Sequence, residues 1–303
     1  MDTIRSRRWV YAALTLSAFF WGSGFAVARF ALRSVSPLEL LAGASVFAAV
    51  FEVLWMVARG GGARLRLPSS LLWPVLALGL AGQSILNGLT LFGLELTTAT
   101  NAALIFGFSP VIIGILGAFF LREPFSALKR WGASVGFAGV ALIITQAHLE
   151  SFELRGVMMG NLVVLGGAIF WASFSVITRS ITRRLPPDVF TFYFLVLGTA
   201  APVLWFWAEE KRFPLVGITH PALAAIAWFA LTTSVVAINI WSWALEKIEA
   251  SRVGVFTYLE PVFAALTAMT FLGERLTPPT AAGALLVFAG IYLSTRSVPA
   301  NTP

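Results

Sequence analysis

Two carboxylates stand where carboxylates are expensive. Glu52 and Glu260 each lie inside a long apolar run. A lone carboxylate at bilayer depth costs roughly 2.5–3.5 kcal/mol, so it must face the protein interior or a wet cavity. Pro261 follows Glu260 directly, and Pro110 sits in the middle of an earlier run. Proline removes a backbone N–H and pushes away the carbonyl four residues back, here Phe106 and Thr257. In lipid such a break survives only beside protein or water. Glu260 is therefore the first candidate for binding a substrate amine or carrying a coupled proton, with Pro110 and Pro261 as hinges. Glu52 lies nearer one end of its run and ranks below it.

The amides Asn87, Asn101, Asn239 and Gln83 come next, since buried amides in membranes bond across helices or line a path. Trp21 and Trp171, with Ser23 and Ser173, recur at one spacing. Trp241, Trp243 and Tyr258 are candidates for an aromatic-friendly wall. Most of the 11 tryptophans read as packing or interface residues.

These residues need elements to hold them. Of 303 residues, 58% are hydrophobic and 12% charged, against about one-quarter charged in soluble domains. A spanning helix takes about 20 apolar residues. Ten segments qualify, near 10–28, 40–58, 72–94, 99–121, 131–147, 156–178, 189–208, 222–245, 253–272 and 279–295. Continuous apolar runs specify helices; a membrane barrel alternates every second residue. Arg5, Arg7 and Arg8 before the first run, with Ala26-Val27-Ala28 after it, imitate a signal peptide. The run is too long for one, and a copy of it recurs internally.

With the N-terminus inside, Lys and Arg divide fifteen to the inner segments and six to the outer ones. The positive-inside rule then predicts both termini in the cytoplasm. The net charge of +7 is spread over short loops, so no continuous basic surface exists for nucleic acid.

The two halves match at an offset of about 150 residues. Ala18-Phe19-Phe20-Trp21-Gly22-Ser23 pairs with Ala168-Ile169-Phe170-Trp171-Ala172-Ser173. Pro110-Val111 pairs with Pro261-Val262, Phe120-Leu121-Arg122-Glu123 with Phe271-Leu272-Gly273-Glu274, and Phe137-Ala138-Gly139-Val140 with Phe288-Ala289-Gly290-Ile291. Blocks in one order at one offset mark a duplication. Each half, residues 1–150 and 151–303, holds five spans, so the second copy enters the bilayer from the opposite side. The expected fold is an all-α polytopic membrane protein, ten transmembrane helices as two inverted five-helix repeats. Two copies in different conformations can exchange them, which is the geometry of alternating access.

Phe20-Trp-Gly-Ser-Gly-Phe25, the paired prolines, Leu121/Glu123 with Leu272/Glu274, and the repeated Phe-Ala-Gly resemble the drug/metabolite transporter superfamily, within it the ten-helix EamA-domain exporters. The resemblance implies proton-coupled or facilitated export of small metabolites, amino acids and aromatic ones among them. It also implies a central cavity lined by helices 1, 3, 4, 6, 8 and 9, with helices 5 and 10 peripheral.

Other chemistries lack their residues. There is no cysteine, no HExxH and no phosphate-cradling loop; Gly60-Gly61-Gly62 has no P-loop lysine. His148 and His220 fall in loops. No cofactor, metal site or catalytic cluster is expected. The partners expected are a small-molecule substrate and the lipid bilayer; the oligomeric state is not encoded, and a monomer is compatible. An exporter of cationic drugs is the alternative, since Glu260 and aromatic faces attract cations. A membrane lipid enzyme is more distant.

Overall fold

The computed structural model describes residues 2–60, 65–120, 126–146, 156–182, 184–245, 247, 253 and 255–295. Gly61, Gly62, Leu121, Arg122, Glu123 and His148 lie outside them. No strand occurs among the described residues. The helices are α1 (Asp2–Ala31), α2 (Pro37–Ala58), α3 (Ser69–Leu96), α4 (Ala99–Phe120) and α5 (Ala127–Thr145). They continue as α6 (Gly156–Thr182), α7 (Asp188–Glu210), α8 (220–245), α9 (Phe256–Leu272) and α10 (Pro278–Thr295). Among the described residues, eight helices are long and apolar enough to cross a membrane, and the apolar stretches in α9 and α10 are shorter. The side on which α1 begins is called the near face below, and the opposite side the far face.

The helix starts are written in the sequence. Ser36, Thr98 and Ser126 cap α2, α4 and α5, each side-chain oxygen accepting the N–H of the third residue on, Glu39, Asn101 and Lys129. Those caps satisfy N–H groups that a helix leaves free at its start. Five helices are irregular inside, α7 by a break at Thr199 between Pro187–Gly198 and Ala200–Glu210. α3 and α8 each contain a π-helical stretch, Gly82–Leu86 and Ala230–Val236, at corresponding places in the two repeats. α4 breaks between Ala99–Phe106 and Ser109–Phe120. α9 passes from a 3₁₀ stretch, Val255–Leu259, to α-helix at Glu260–Thr267, and ends in a π-helical stretch.

The duplication is visible in small details. Arg59 lies 5.7 Å over the Trp55 ring at the end of α2, and Lys211 lies 5.3 Å over Trp207 at the end of α7. The same cation–aromatic pair thus closes the second helix of each repeat, on opposite faces. α5 and α10 pack along a seam of glycines. A Cβ on Gly132 would meet the Gly290 carbonyl at 2.5 Å, and one on Gly139 would meet that of Gly283 at 2.7 Å. Small residues allow this approach where lipid offers no hydrophobic drive for helix pairing. The outer sides of this pair expose Trp131, Leu285 and Tyr292. Trp9, Trp73 and Trp131, all near helix starts on the near face, are 68–73% exposed, as an aromatic belt at a membrane interface requires.

Candidate functional site

The breaks in α4 and α9 meet. A Cβ on Gly107, in the α4 break, would lie 2.7 Å from Pro261 Cγ. On the other side of α9, a Cβ on Gly22 would overlap the Glu260 carbonyl oxygen and approach Phe263 Cβ to 2.9 Å. Helix α9 is therefore clamped at residues 260–261 between glycines of α1 and α4, with first-repeat backbone on both sides of a second-repeat hinge. The carbonyl that Pro110 frees, on Phe106, accepts the Ser109 hydroxyl. That carbonyl is thus occupied within its own turn.

Glu260 opens the α-helical part of α9. Ala264 and Thr267, one and two turns on along the same side, are buried, so Glu260 points inward; it is partly exposed there. Trp171 shows the same combination more clearly. Its helix neighbours in line, Val164, Gly167, Phe174 and Thr178, are all buried, yet Trp171 is 36% exposed. Residues spaced by three, four and seven share one helix face. The exposure of Trp171 is therefore to a space inside the bundle, not to lipid.

Aromatic rings wall that space. Phe25 of α1 lies 6.0 Å from Phe106 of α4, which lies 6.4 Å from Trp171 of α6. Trp171 stacks on Phe174 at 5.9 Å, and Phe174 meets Phe194 of α7 at 5.4 Å. Because Phe106 adjoins Gly107, and Gly107 touches Pro261, Glu260 and the Phe106–Trp171 pair share one neighbourhood.

The other candidates distribute as follows. Trp21 donates its indole N–H to the Thr233 carbonyl at 2.9 Å, inside the π-helical stretch of α8, and packs on Trp241 at 5.2 Å. Tyr258 lies in the 3₁₀ stretch, partly buried against the core. Ser23 and Ser173 donate back to Phe20 and Ile169 of their own helices. Asn87 donates to Gln83 at 2.8 Å, within α3. Asn239 donates to the Val235 carbonyl at 2.9 Å and to Glu52 at 3.4 Å. Trp243 is exposed, one turn past Asn239.

Asn101 is placed elsewhere. It is in the first turn of α4, where its side-chain oxygen accepts the Thr280 hydroxyl at 3.1 Å. It belongs to a polar collar on the far face. There Glu274 accepts from the N–H groups of Ala99 and Thr100, Thr97 donates to Asn161, and Gln146 donates to Thr280. A shallow groove of about 250 Å³ on α2 is lined by Ala49, Val50, Val53 and Leu54. It is wholly aliphatic and offers nothing to orient a polar substrate. Sequence reasoning missed Gly22, Gly107, Phe25, Phe106 and Phe174. Gly22 and Phe25 carried a signal within the Phe20–Phe25 block, and Phe106 as the residue whose carbonyl Pro110 frees; Gly107 and Phe174 carried none.

A model of the EamA-like transporter family matches the chain twice, over residues 8–145 and 158–296. The chain belongs to that family. The transporter is 27% identical over 283 residues to an uncharacterized transporter of Archaeoglobus fulgidus, covering 93% of this chain and 96% of that one. It is 28% identical to a probable amino-acid metabolite efflux pump of Salmonella typhimurium, over 95% of both chains. It is 24% identical to an S-adenosylmethionine/S-adenosylhomocysteine transporter of Chlamydia trachomatis, over 87% of this chain and 82% of that one. A solved crystal structure is similar over 94% of this chain and 95% of its own, with a TM-score of 0.67 and 22% identity; that likeness is one of fold. The protein is thus a multi-pass membrane transporter of the EamA type, not an enzyme.

Proposed function

We propose that the transporter exports amino acids or closely related amine-bearing metabolites, aromatic ones among them, by alternating access. The near face is then the cytoplasmic side of a bacterial inner membrane, with both termini there. Residues 1–150 and 151–303 act as the two units that rock about the α4–α9 contact.

One observation carries this reading: an inward-facing carboxylate, Glu260, stands at the hinge between the repeats, in the neighbourhood of an internally exposed Trp171. The carboxylate offers a counter-charge for an ammonium group, and the ring faces offer apolar contact for a side chain. The relatives named for amino-acid metabolites and for S-adenosylmethionine support the same chemistry, because each of those compounds carries an α-amino group next to a variable side chain.

The test is uptake of labelled amino acids into proteoliposomes, with wild type and Glu260→Gln inserted to equal levels. A charge-assisted hydrogen bond to a bound amine contributes about 1.5–3 kcal/mol. Its loss lowers apparent affinity roughly ten- to a hundredfold. Unchanged uptake by the well-inserted variant removes Glu260 from the site. The second reading, cationic drugs, uses the same carboxylate and the same ring faces. Competition separates the two: quaternary cations that displace the amino acids at lower concentration than the amino acids displace each other favour the drug reading.

A further inference from the structure

Glu52 is the second intramembrane carboxylate, and the site above does not use it. It is fully buried, at 0% exposure, in the near-face half of α2. Among the described residues, its Oε1 has no partner within hydrogen-bond reach. Its Oε2 receives one donor, the Asn239 amide at 3.4 Å, close to the limit for such a bond. That amide is already engaged with the Val235 carbonyl at 2.9 Å. A buried polar oxygen left so bare is costly, and Glu52 comes from the first repeat while Asn239 comes from the second.

Among the described residues, the charged groups that bear on it are Asp188, at the start of α7, and Arg59, the residue just past α2. Of the other described ionisable side chains on helices packed against α2, Tyr193 of α7 donates its hydroxyl to the Leu65 carbonyl at 3.2 Å, while Glu95 of α3, Glu209 and Glu210 of α7 and His220 of α8 sit at far-face ends. Among the described residues, no group of three acidic, histidine or cysteine side chains gathers that could hold a metal ion. A sodium-like cation wants six or so oxygens, as hard cations do; Glu52 and Asn239 supply too few. The smallest occupant, a proton, needs one bare carboxyl oxygen and no space.

We propose that the Glu52–Asn239 contact is a proton-binding site that couples transport to a proton gradient, separate from the substrate site at Glu260. With the proton on Glu52, the amide contact is weak and the two repeats are loosely tied at this point. Without it, the carboxylate draws a charge-assisted bond from Asn239, pulling α8 toward α2. The change has a route inward. Asn239 is bonded to Val235 in the π-helical stretch of α8, and the same stretch holds the Trp21 indole through Thr233. Trp21 adjoins Gly22, which rests on the Glu260 backbone.

The test is infrared difference spectroscopy of the purified protein in lipid, between acidic and alkaline buffers, in wild type and in a Glu260→Gln background. It needs no substrate, so its outcome is separate from whether amino acids are the cargo. A protonated-carboxyl C=O band that converts to carboxylate is expected, absent in Glu52→Gln and displaced in Asn239→Leu. If Glu52→Gln fails to insert, Asn239→Leu decides alone, because it leaves the carboxyl in place and removes its single donor. Three results overturn the proposal: no such band in the Glu260→Gln background, a band that survives Glu52→Gln, or one that Asn239→Leu leaves unmoved. Loss of the band on adding sodium at fixed pH would place a metal ion there and overturn it as well.

Discussion

Glu274 of the second repeat and Thr100 of the first are joined twice. The Glu274 Oε2 accepts the Thr100 backbone N–H at 3.1 Å and its hydroxyl at 2.8 Å, while Oε1 accepts the Ala99 N–H at 2.8 Å. A carboxylate at a helix start satisfies free N–H groups and the positive end of the helix dipole. Glu274 is therefore the anionic cap of α4, supplied from the other half of the chain. Glu274→Ala is expected to cost about 2 kcal/mol, and Glu274→Gln less, since an amide oxygen still accepts. Thermal unfolding in detergent measures both. A melting temperature for the alanine variant equal to wild type would show the cap to be idle.

Gly22 and Gly107 clamp the α9 hinge with no room to spare. Alanine at either position is expected to destabilise by about 1–3 kcal/mol, the usual cost of overpacking, and to slow transport. Gly166 is the control. A Cβ there finds its nearest neighbour, Leu89 Cδ1, at 3.9 Å, so Gly166→Ala should be neutral or stabilise by about 0.5–1 kcal/mol. Equal effects at all three positions would mean that the clamp carries no special strain.

Trp21 and Trp171 are repeat twins in different circumstances. Trp21→Phe loses a hydrogen bond worth about 1 kcal/mol and should lower stability. Trp171→Phe keeps its ring contacts and should change stability little. Trp171→Ala should instead raise the KM for aromatic amino acids more than for aliphatic ones. A uniform rise across the panel would show that the ring shapes the space without contacting substrate.

Much of the fold is legible in the sequence because the bilayer constrains it so tightly. Apolar runs of spanning length, basic residues in short loops and a self-match near 150 residues follow from hydropathy and charge alone. Pro261 and Pro110 likewise mark α9 and α4 as interrupted. What the sequence hides is partnership. Glu52 and Asn239 are 187 positions apart, and Glu274 and Thr100 are 174 apart; no local pattern joins them. The π-helical stretches are equally silent, since no residue type announces an extra residue in a turn. Asn101 is set apart by a subtler feature: Thr98 three residues earlier is an N-cap that places it in a first turn, which hydropathy alone does not distinguish from the middle of an apolar span.

The glycine seam between α5 and α10 is reciprocal: Gly132 meets Gly290, and Gly139 meets Gly283. Each repeat thus carries both the key and the lock of the same joint, as two identical molecules in an antiparallel embrace would. A half-length chain has in this seam the means to pair with its own kind. The peptide link between the halves then serves to fix stoichiometry rather than to hold the pieces together. Separately expressed halves should find one another in the membrane and co-purify, and leucine at Gly139 should part them.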